Sequence, residues 1–347
     1  MSRILCIGDL HFRRQLAYSS AIKDGRVGEW TAIKDKIHKT AKNCDAVVLM
    51  GDNLNSRDNP SIVLKEFVDF LNGFGNKEIH ILCGNHERAG TTTALDFLDR
   101  VNHPNWFIYT EPTQTKVAGI ESMMVPFMTP ALMKVETKEE GIKAVLDTFP
   151  KIAWPLAFLH HAIGGAKIRG IPVDLMNEIV LPQKEMEQHF GHIFAGHIHE
   201  KQNIFPSIYM TGSIQTQEVG EHEKSIWLYE SDGTIDVKVE EIPLPVRGLY
   251  KIVWEELDLK KVIPKESIVK CYVTSRDTDI EDVKKYLKSF DASIIIEQYP
   301  NERSKAHFDD GALDLSVESL LKIYADTKGL AFADLKEGFS LIQNNKQ

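Results

Sequence analysis

The chain has 347 residues, 43% of them hydrophobic, and a formal net charge of −9, which excludes a mainly disordered chain and a broad basic surface for nucleic acid. Local basic residues or bound cations could still meet phosphate. No apolar stretch approaches the roughly 20 residues of a membrane span, and the first residues lack the pattern of a signal peptide. The four widely spaced cysteines include no CxxC pair, so we expect reduced thiols in a cytoplasmic protein, with Cys6 and Cys83 in the core.

Five short apolar segments in the first 200 residues have the length and composition of buried strands. They are residues 3–11, 46–53, 79–87, 155–161 and 192–199. Each contains four to six apolar residues, rich in Ile, Val, Leu and Phe, which is too few for a helix. Continuous apolar runs of this kind are typical of parallel strands that are buried on both faces.

Helical patterns lie between these strands. The first helix is predicted by four apolar residues at helical spacing, Trp30, Ile33, Ile37 and Ala41. Residues 59–75 predict a second helix, with Asn59 as its N-cap and Pro60 in its first turn. Thr137 and Glu140 have capping-box spacing and mark the start of another helix. Alternating strands and helices predict an α/β domain with a largely parallel sheet.

After residue 200 the pattern changes to strands that follow one another closely. Residues 207–213, 225–242 and 248–254 have strand composition, and Asp232-Gly233 predicts a hairpin turn inside the second of these segments. We expect these strands to form an antiparallel or mixed extension of the same core.

A proline-rich joint at 243–248 is the first candidate domain boundary. Residues 267–300 predict a strand–helix–strand unit, and two short amphipathic helices follow it. The predicted organisation is therefore a first domain at 1–245, a small second domain at 246–305 and terminal helices at 306–347.

All five predicted strands end in side chains that commonly bind metals, usually after a glycine. These are Asp9 and His11; Asp52; Asn85 and His86; His160 and His161; and His197 and His199. In an open α/β sheet, ligands bind outside the carboxyl ends of the strands. If the five strands are neighbours in one sheet, these side chains converge there.

Each motif alone has an ordinary structural explanation. A Gly-Asp pair at a strand end is usually only a turn, His160-His161 could be one core and one surface histidine, and His197 and His199 could be exposed loop residues. The coincidence of all five favours a metal site. The set contains Asp, His and Asn but no Cys, which suits Mn²⁺, Fe or Zn²⁺. It has too many ligands for one ion and about enough for two, with one bridging carboxylate.

The motif series GDxH, GD, GNHE, H and GHxH, over residues 9–199, resembles the calcineurin-like metallophosphoesterases. The resemblance implies an α/β fold, a metallophosphoesterase β-sandwich flanked by helices, with a small α+β cap domain and C-terminal helices. It implies two divalent metal ions: Mn²⁺ is expected, with Mg²⁺, Fe and Zn²⁺ as alternatives. The implied ligands of one ion are Asp9, His11, Asp52 and His199. The implied ligands of the other are Asp52, Asn85, His160 and His197. His86 is implied to be catalytic, stabilising the transition state or protonating the leaving oxygen.

The segments "GDNLNSRDNPSIVL" and "GGAKIRG" resemble the SbcD-type nuclease subunit of DNA repair and its phage recombination counterparts. This branch implies DNA as substrate, a cap domain that contacts DNA, terminal helices that dock on an SbcC-like coiled-coil ATPase, and a homodimer. The sequence departs from the branch at Asn53, where an apolar residue is common, and at Glu87, where Asp is usual. We expect Glu87 to orient a histidine.

Four basic residues follow the candidate ligands and could contact flanking phosphates: Arg13, Arg14, Lys167 and Arg169. For any single one of them, a solvated loop charge is the more common explanation. Three hypotheses remain: a DNA nuclease subunit, which we favour, a small-molecule phosphatase or cyclic-nucleotide phosphodiesterase, and a catalytically silent scaffold. The complete ligand set argues against the third, and about 100 residues after the catalytic region favour a polymer substrate or a protein partner.

Overall fold

The computed structural model describes residues 1–22, 25–221, 223–233, 237–257, 263–275, 277–298 and 332–333. The helices are α1 (Val27–Ala41), α2 (Ser61–Asn72), α3 (Phe97–Val101), α4 (Lys138–Leu146), α5 (Gln183–His189) and α6 (Ile280–Lys288). The strands are β1 (Ser2–Ile7), β2 (Ala46–Leu49), β3 (Glu78–Leu82), β4 (Arg88–Ala89), β5 (Thr92–Thr93), β6 (Trp106–Tyr109), β7 (Thr113–Val117), β8 (Ile120–Val125), β9 (Trp154–Leu159), β10 (Ala162–Ile163), β11 (Lys167–Ile168), β12 (Ile171–Pro172), β13 (Val180–Leu181), β14 (Phe190–Ala195), β15 (Gln202–Phe205), β16 (Ile208–Met210), β17 (Ser225–Ser231), β18 (Val237–Pro243), β19 (Leu249–Val253), β20 (Ile268–Val273) and β21 (Ser293–Gln298). Short 3₁₀ turns occur at Ser19–Ala21, Val173–Leu175 and Trp254–Glu256.

Two six-stranded mixed sheets form the centre of the fold. The first has the strand order β18-β17-β1-β2-β3-β6, in which β1, β2, β3 and β6 are parallel and β17 and β18 continue the sheet antiparallel. The second has the order β15-β16-β14-β9-β8-β7, with parallel β16, β14, β9 and β8 between antiparallel edge strands. The segments predicted at 207–213 and 225–242 thus extend the two sheets, as expected. The expectation for 248–254 was wrong, because this segment forms β19 of a separate three-stranded sheet.

The two sheets pack face to face, and helices cover their outer faces. Alternate residues of β1 show why its apolar run is continuous: Ile4 and Cys6 belong to the core between the sheets, whereas Leu5 and Ile7 belong to the core under α1 and α2. The core on the outer face of the second sheet contains Val145 of α4 and Met186 of α5. The expected sandwich flanked by helices is confirmed.

The single, largely parallel sheet that the alternation of strands and helices predicted was wrong. The five predicted strands are formed, but β1, β2 and β3 lie in the first sheet and β9 and β14 in the second. A short apolar run specifies burial on both faces; it does not specify which strand becomes its neighbour. The ligand-bearing turns therefore approach one another from two sheets.

Of the two predicted helix caps, one is formed and the other is not. Thr137 and Glu140 form the predicted capping box at the start of α4. The prediction of Asn59 as a cap was wrong, because Pro60 holds the N-cap position of α2 and the Asn59 amide instead donates to the carbonyl of Ser56 at 2.6 Å.

All four cysteines are free and buried, which confirms the predicted core thiols. None of the described helices combines the length and apolar character needed to cross a membrane.

A three-stranded sheet of order β19-β20-β21 follows the sandwich, with α6 between its last two strands along the chain. Strand β19 is hydrogen-bonded to the loop that contains residues 220–221. The Gly220 N–H donates to the Leu249 carbonyl at 2.8 Å, and the Leu249 N–H donates to the Glu221 carbonyl at 3.1 Å.

The chain divides into two compact units. One comprises Met1–Tyr272 and Asp279–Glu297, and the other Val273–Thr278 and Gln298–Gln347. The predicted domain boundaries at 245 and 305 stay predictions. The predicted terminal helices lie outside the described residues, except for helical residues 332–333.

Candidate metal centre

Seven side chains expected to bind metal lie at the ends of five strands and come together in the structure. Asp9 and His11 follow β1, Asp52 follows β2, Asn85 follows β3, His160 follows β9, and His197 and His199 follow β14. Both sheets therefore supply ligands, and close contacts connect the ligands of one sheet to those of the other. The backbone N–H of His197, for example, donates to the Asp9 carboxylate at 2.9 Å.

The first cluster consists of Asp9, His11, Asp52 and His199. Each of these residues offers one ligand atom, and the four atoms lie within 4.8 Å of one another. The Nε2 atoms of His11 and His199 are 2.9 Å apart, and His11 Nε2 is 3.7 Å from Asp52 Oδ2. The Nδ1 atom of His11 is buried and has no hydrogen-bond partner among the described residues. This grouping is the one that the resemblance implied for one ion.

The second cluster is centred on the side-chain oxygen of Asn85. Asn85 Oδ1 lies 3.1 Å from His160 Nε2 and 3.0 Å from His197 Nδ1. His160 Nε2 is also 3.4 Å from Asp52 Oδ1. The two carboxylate oxygens of Asp52 thus face different clusters, Oδ2 toward His11 and Oδ1 toward His160.

The arrangement of lone pairs in both clusters fits divalent cations. His160 Nδ1 lies 2.6 Å from the Met50 carbonyl oxygen, so this nitrogen carries the hydrogen and donates. The Nε2 lone pair of neutral His160 then faces the oxygens of Asn85 and Asp52. Such an arrangement of acceptors is unfavourable unless a proton or a cation lies between them. Carboxylate, imidazole and amide ligands without thiolate suit Mn²⁺, Fe or Zn²⁺.

The charges of the centre are strongly coupled. Burial alone would raise the pKa of Asp52, but His160, His11 and His86 outweigh it and lower that pKa. Burial would likewise lower the pKa of His160, yet the carboxylates of Asp52 and Asp9 raise it to about 9. The carboxylates therefore attract positive charge to the position between the clusters.

The glycines before the ligands allow the ligand-bearing turns to approach one another closely. A Cβ on Gly51, whose φ is +94°, would lie 2.2 Å from His160 Nδ1, and one on Gly84 would lie 2.1 Å from Asp52 Oδ1. The ligands Asp52 and His197 themselves have positive φ values of 47° and 81°. Backbone strain of this kind persists only where the surrounding structure enforces it, and it commonly marks functional sites.

A model of the calcineurin-like phosphoesterase family matches residues 2–201, which include every ligand of both clusters. The chain belongs to the calcineurin-like phosphoesterase family. Membership makes it a metal-dependent hydrolase of phosphoesters. Among solved structures, the crystal structure of TT1561 from Thermus thermophilus is similar with a TM-score of 0.40 and 14% identity, covering 69% of this chain and 98% of that one. A similarity at this level indicates nothing about substrate.

His86 lies at the rim of the phosphoesterase centre. Its backbone N–H donates to Asp52 Oδ1 at 2.9 Å, and its ring nitrogen Nε2 lies 3.8 Å from Asp52 Oδ2. The other ring nitrogen is 3.2 Å from the Asn55 carbonyl oxygen. The side chain of His86 is 42% exposed, whereas that of Asp52 is 2% exposed. A substrate phosphate could therefore reach His86 from solvent.

The two adjacent histidines after β9 point to different surroundings. His160 faces both clusters, whereas His161 Nε2 accepts a hydrogen bond from the Met128 N–H at 3.0 Å. The His161 ring also stacks on Phe127 at a centroid distance of 5.6 Å. Burial and the neighbouring His197 lower the pKa of His161 to about 3, which keeps it neutral. The geometry thus places His160, the predicted ligand, at the centre.

The four basic residues predicted at the rim differ in their surroundings. Arg13 donates to the side-chain oxygen of Gln217, Arg14 lies 3.3 Å from Glu66, and Arg169 contacts Glu218. Lys167 is exposed at the start of the β11–β12 hairpin. Contact of these four residues with phosphate stays a prediction.

Sequence reasoning missed several side chains that contact the ligands. Glu178 Oε1 lies 2.8 Å from His197 Nε2, and Glu221 Oε1 lies 3.8 Å from His199 Nδ1. The buried amine of Lys224 bonds Glu221 at 2.9 Å and the His199 carbonyl at 2.9 Å. None of these residues belongs to a motif, so only their position in the fold identifies them.

Glu87 and Asn53 have structural partners that the sequence did not indicate. The expectation that Glu87 orients a histidine was wrong: its carboxylate accepts from the backbone N–H groups of Leu54 at 2.7 Å and Gly84 at 2.6 Å. Burial, together with the charge of Asp52, raises the pKa of Glu87 to about 8. Asn53 is buried and donates to the Leu82 carbonyl at 2.7 Å. Both side chains therefore hold together the turns that follow β2 and β3.

Proposed function

We propose that this phosphoesterase is a DNA nuclease that hydrolyses phosphodiester bonds with two divalent cations, with Mn²⁺ as the expected metal. One observation carries the proposal: the two oxygens of Asp52 face separate ligand clusters. A carboxylate in this position can bridge two ions. When bound, such a pair neutralises the charge of a phosphodiester and activates water for in-line attack.

The protein's own groups would position the reactants and move a proton. Asp9, His11 and His199 would hold one ion, and Asn85, His160 and His197 the other, with Asp52 shared. His86 would approach the phosphate from the exposed rim and protonate the leaving oxygen from a ring nitrogen. The hydrogen bond from its backbone N–H to Asp52 fixes its position relative to the shared ligand.

Three features support DNA as the substrate. The resemblance to SbcD-type nucleases extends beyond the metal ligands to residues 51–64 and 164–170. The side chain of His86 is 42% exposed, so the rim of the centre is open to solvent, as a polymer substrate requires. Lys167 is exposed on the β11–β12 hairpin, and its backbone N–H donates to the side chain of Gln202, which follows the ligand His199 closely, so its amine could meet a flanking phosphate.

The same resemblance supports the proposed partners. An SbcD-type subunit would work as a homodimer with an SbcC-like coiled-coil ATPase, whose docking site would be the terminal segment 306–347. The ATPase would give the nuclease access to DNA ends in recombination or double-strand-break repair.

The substrate is tested with purified protein and Mn²⁺ on linear duplex DNA, single-stranded DNA and bis(p-nitrophenyl) phosphate. We expect cleavage of DNA that is lost in Asp52→Ala and kept in Asp69→Ala, a surface carboxylate paired with Lys65 on α2. Hydrolysis of the small diester without DNA cleavage, even with the ATPase added, would overturn the DNA assignment. It would favour a small-molecule phosphatase or cyclic-nucleotide phosphodiesterase.

A further inference from the structure

Glu178 contacts a predicted metal ligand from outside the motif series. It precedes β13, and its Oε1 lies 2.8 Å from His197 Nε2. We infer that Glu178 is a positioning residue that makes Nδ1 the ligand atom of His197 and strengthens cation binding in the second cluster. This inference rests on the proposed two-cation site.

The chemistry of imidazole gives the direction of the effect. A neutral histidine carries one N–H, and the other nitrogen keeps the lone pair that can bind a metal. An ionised carboxylate only accepts hydrogen bonds, so His197 Nε2 carries the hydrogen and donates it to Glu178. The lone pair then lies on Nδ1, the atom that faces Asn85 Oδ1 at 3.0 Å. A carboxylate behind the ring also raises the basicity of a metal-binding histidine.

The segment that carries Glu178 is held close to the metal centre. Its following strand β13 pairs in parallel with β10, which begins directly after His161. The carbonyl oxygen of Ile179 lies 3.4 Å from His161 Nδ1, which is free to donate because Nε2 accepts from Met128. The second histidine of the pair after β9 thus helps to fix the carboxylate that orients His197.

The two clusters differ in the hydrogen bonds made by the histidine nitrogens that face away from the proposed cation. In the second cluster, His160 Nδ1 bonds the Met50 carbonyl at 2.6 Å and His197 Nε2 bonds Glu178. In the first, His11 Nδ1 has no partner among the described residues, and His199 Nδ1 is 3.8 Å from Glu221, beyond hydrogen-bond distance. The histidines of the second cluster are thus oriented by hydrogen bonds that those of the first cluster lack.

The test is Mn²⁺ titration by isothermal calorimetry in two backgrounds. The double variant His11→Ala/His199→Ala isolates the second cluster, and His160→Ala isolates the first. In the former, Glu178→Ala is expected to weaken Mn²⁺ binding roughly 10- to 100-fold. Glu178→Gln keeps an acceptor oxygen and is expected to bind nearer to wild type. Asp174→Asn removes an exposed charge from the same segment and serves as the matched control, with no expected effect.

In the background that isolates the first cluster, Glu178→Ala is expected to leave the affinity unchanged. Thermal unfolding without metal should also be unaltered, which excludes a general loss of structure. Unchanged second-cluster affinity in Glu178→Ala, or equal losses in the Gln and Ala variants, would overturn the inference. If the wild-type protein itself binds no Mn²⁺, the proposed function fails instead.

Discussion

At the scale of single residues, His160 shows how the metal centre competes with protons. Its Nδ1 hydrogen is held by Met50, so a second proton must occupy Nε2, the atom that faces Asn85 and Asp52. Because the carboxylates of Asp52 and Asp9 raise its pKa to about 9, this proton is present at pH 7 in the metal-free protein. A cation must therefore displace it.

We predict that Mn²⁺ affinity of the second cluster rises about tenfold per pH unit between pH 6 and 8, because one proton is released per ion. The sign follows from the raised pKa: lower pH favours the protonated His160 and weakens binding. Calorimetry in two buffers that differ in ionisation enthalpy measures the proton release. An affinity that does not vary with pH in this range would show that no proton is displaced from His160 Nε2.

His86 has a different relation to the metal centre, and its substitution separates catalysis from binding. We predict that His86→Ala retains both cations but loses roughly 10²- to 10⁴-fold in cleavage rate, since a positioned proton donor contributes that much. The rate assay is paired with measurement of bound metal. A variant that has lost metal would contradict the assigned role of His86.

The residues that sequence reasoning identified at the centre are those with chemically distinctive side chains in short motifs. Asp9, Asn85 and His197 fall in this class. Sequence reasoning did not identify Glu178, because this residue lies 19 residues before His197 in a segment without a motif. Only the fold brings the two side chains together. Glu87 belonged to a motif, but its partners are backbone N–H groups, which carry no sequence signal.

At the scale of elements, the turn after each strand decides whether the ligands can meet. Gly51 precedes Asp52 and lies against the His160 ring, so a side chain there has no space. Gly119 has a similar backbone, with φ +82°, but open space around its Cβ position. The two glycines therefore separate the effect of backbone strain from the effect of crowding.

We predict that Gly51→Ala loses measurable Mn²⁺ binding and is destabilised by clearly more than Gly119→Ala, for which strain alone costs roughly 1 kcal/mol or more. Urea unfolding and calorimetric titration of both variants provide the comparison. Equal destabilisation, with metal binding intact in Gly51→Ala, would mean that the turn accommodates a methyl group and that close packing against His160 is unimportant.

Strand positions could be predicted from sequence because short apolar runs, rich in Ile, Val and Leu, fit strands that are buried on both faces. The division into two sheets could not. β3 and β9 have similar apolar character, and their placement in different sheets depends on long-range pairing, with β3 beside β6 and β9 beside β8 and β14. The capping box of α4 was predictable because it is local, spanning only four residues.

At the scale of the whole molecule, the proposed cations would join the two sheets. The first sheet supplies Asp9, Asp52 and Asn85, and the second supplies His160 and His197. Ions that bind only when both sheets are in place stabilise the folded chain over the unfolded one.

We predict that Mn²⁺ at 100 times its dissociation constant raises the free energy of unfolding by about 2.7 kcal/mol for each site filled at that excess. Removing the metal with a chelator should reverse the gain. Denaturant unfolding with and without Mn²⁺ measures it, and Asp69→Ala should behave like wild type. A metal-independent unfolding curve would contradict a site shared between the sheets.

The most direct test of the two-cation centre is the number of Mn²⁺ ions bound per chain in wild type and in Asp52→Ala, measured by elemental analysis after equilibrium dialysis. Wild type is expected to bind two, and Asp52→Ala none, because the bridging carboxylate serves both clusters and its loss leaves the remaining ligands with too little negative charge. An Asp52→Ala protein that still binds one ion as tightly as wild type, or a wild type that binds only one, would contradict the account.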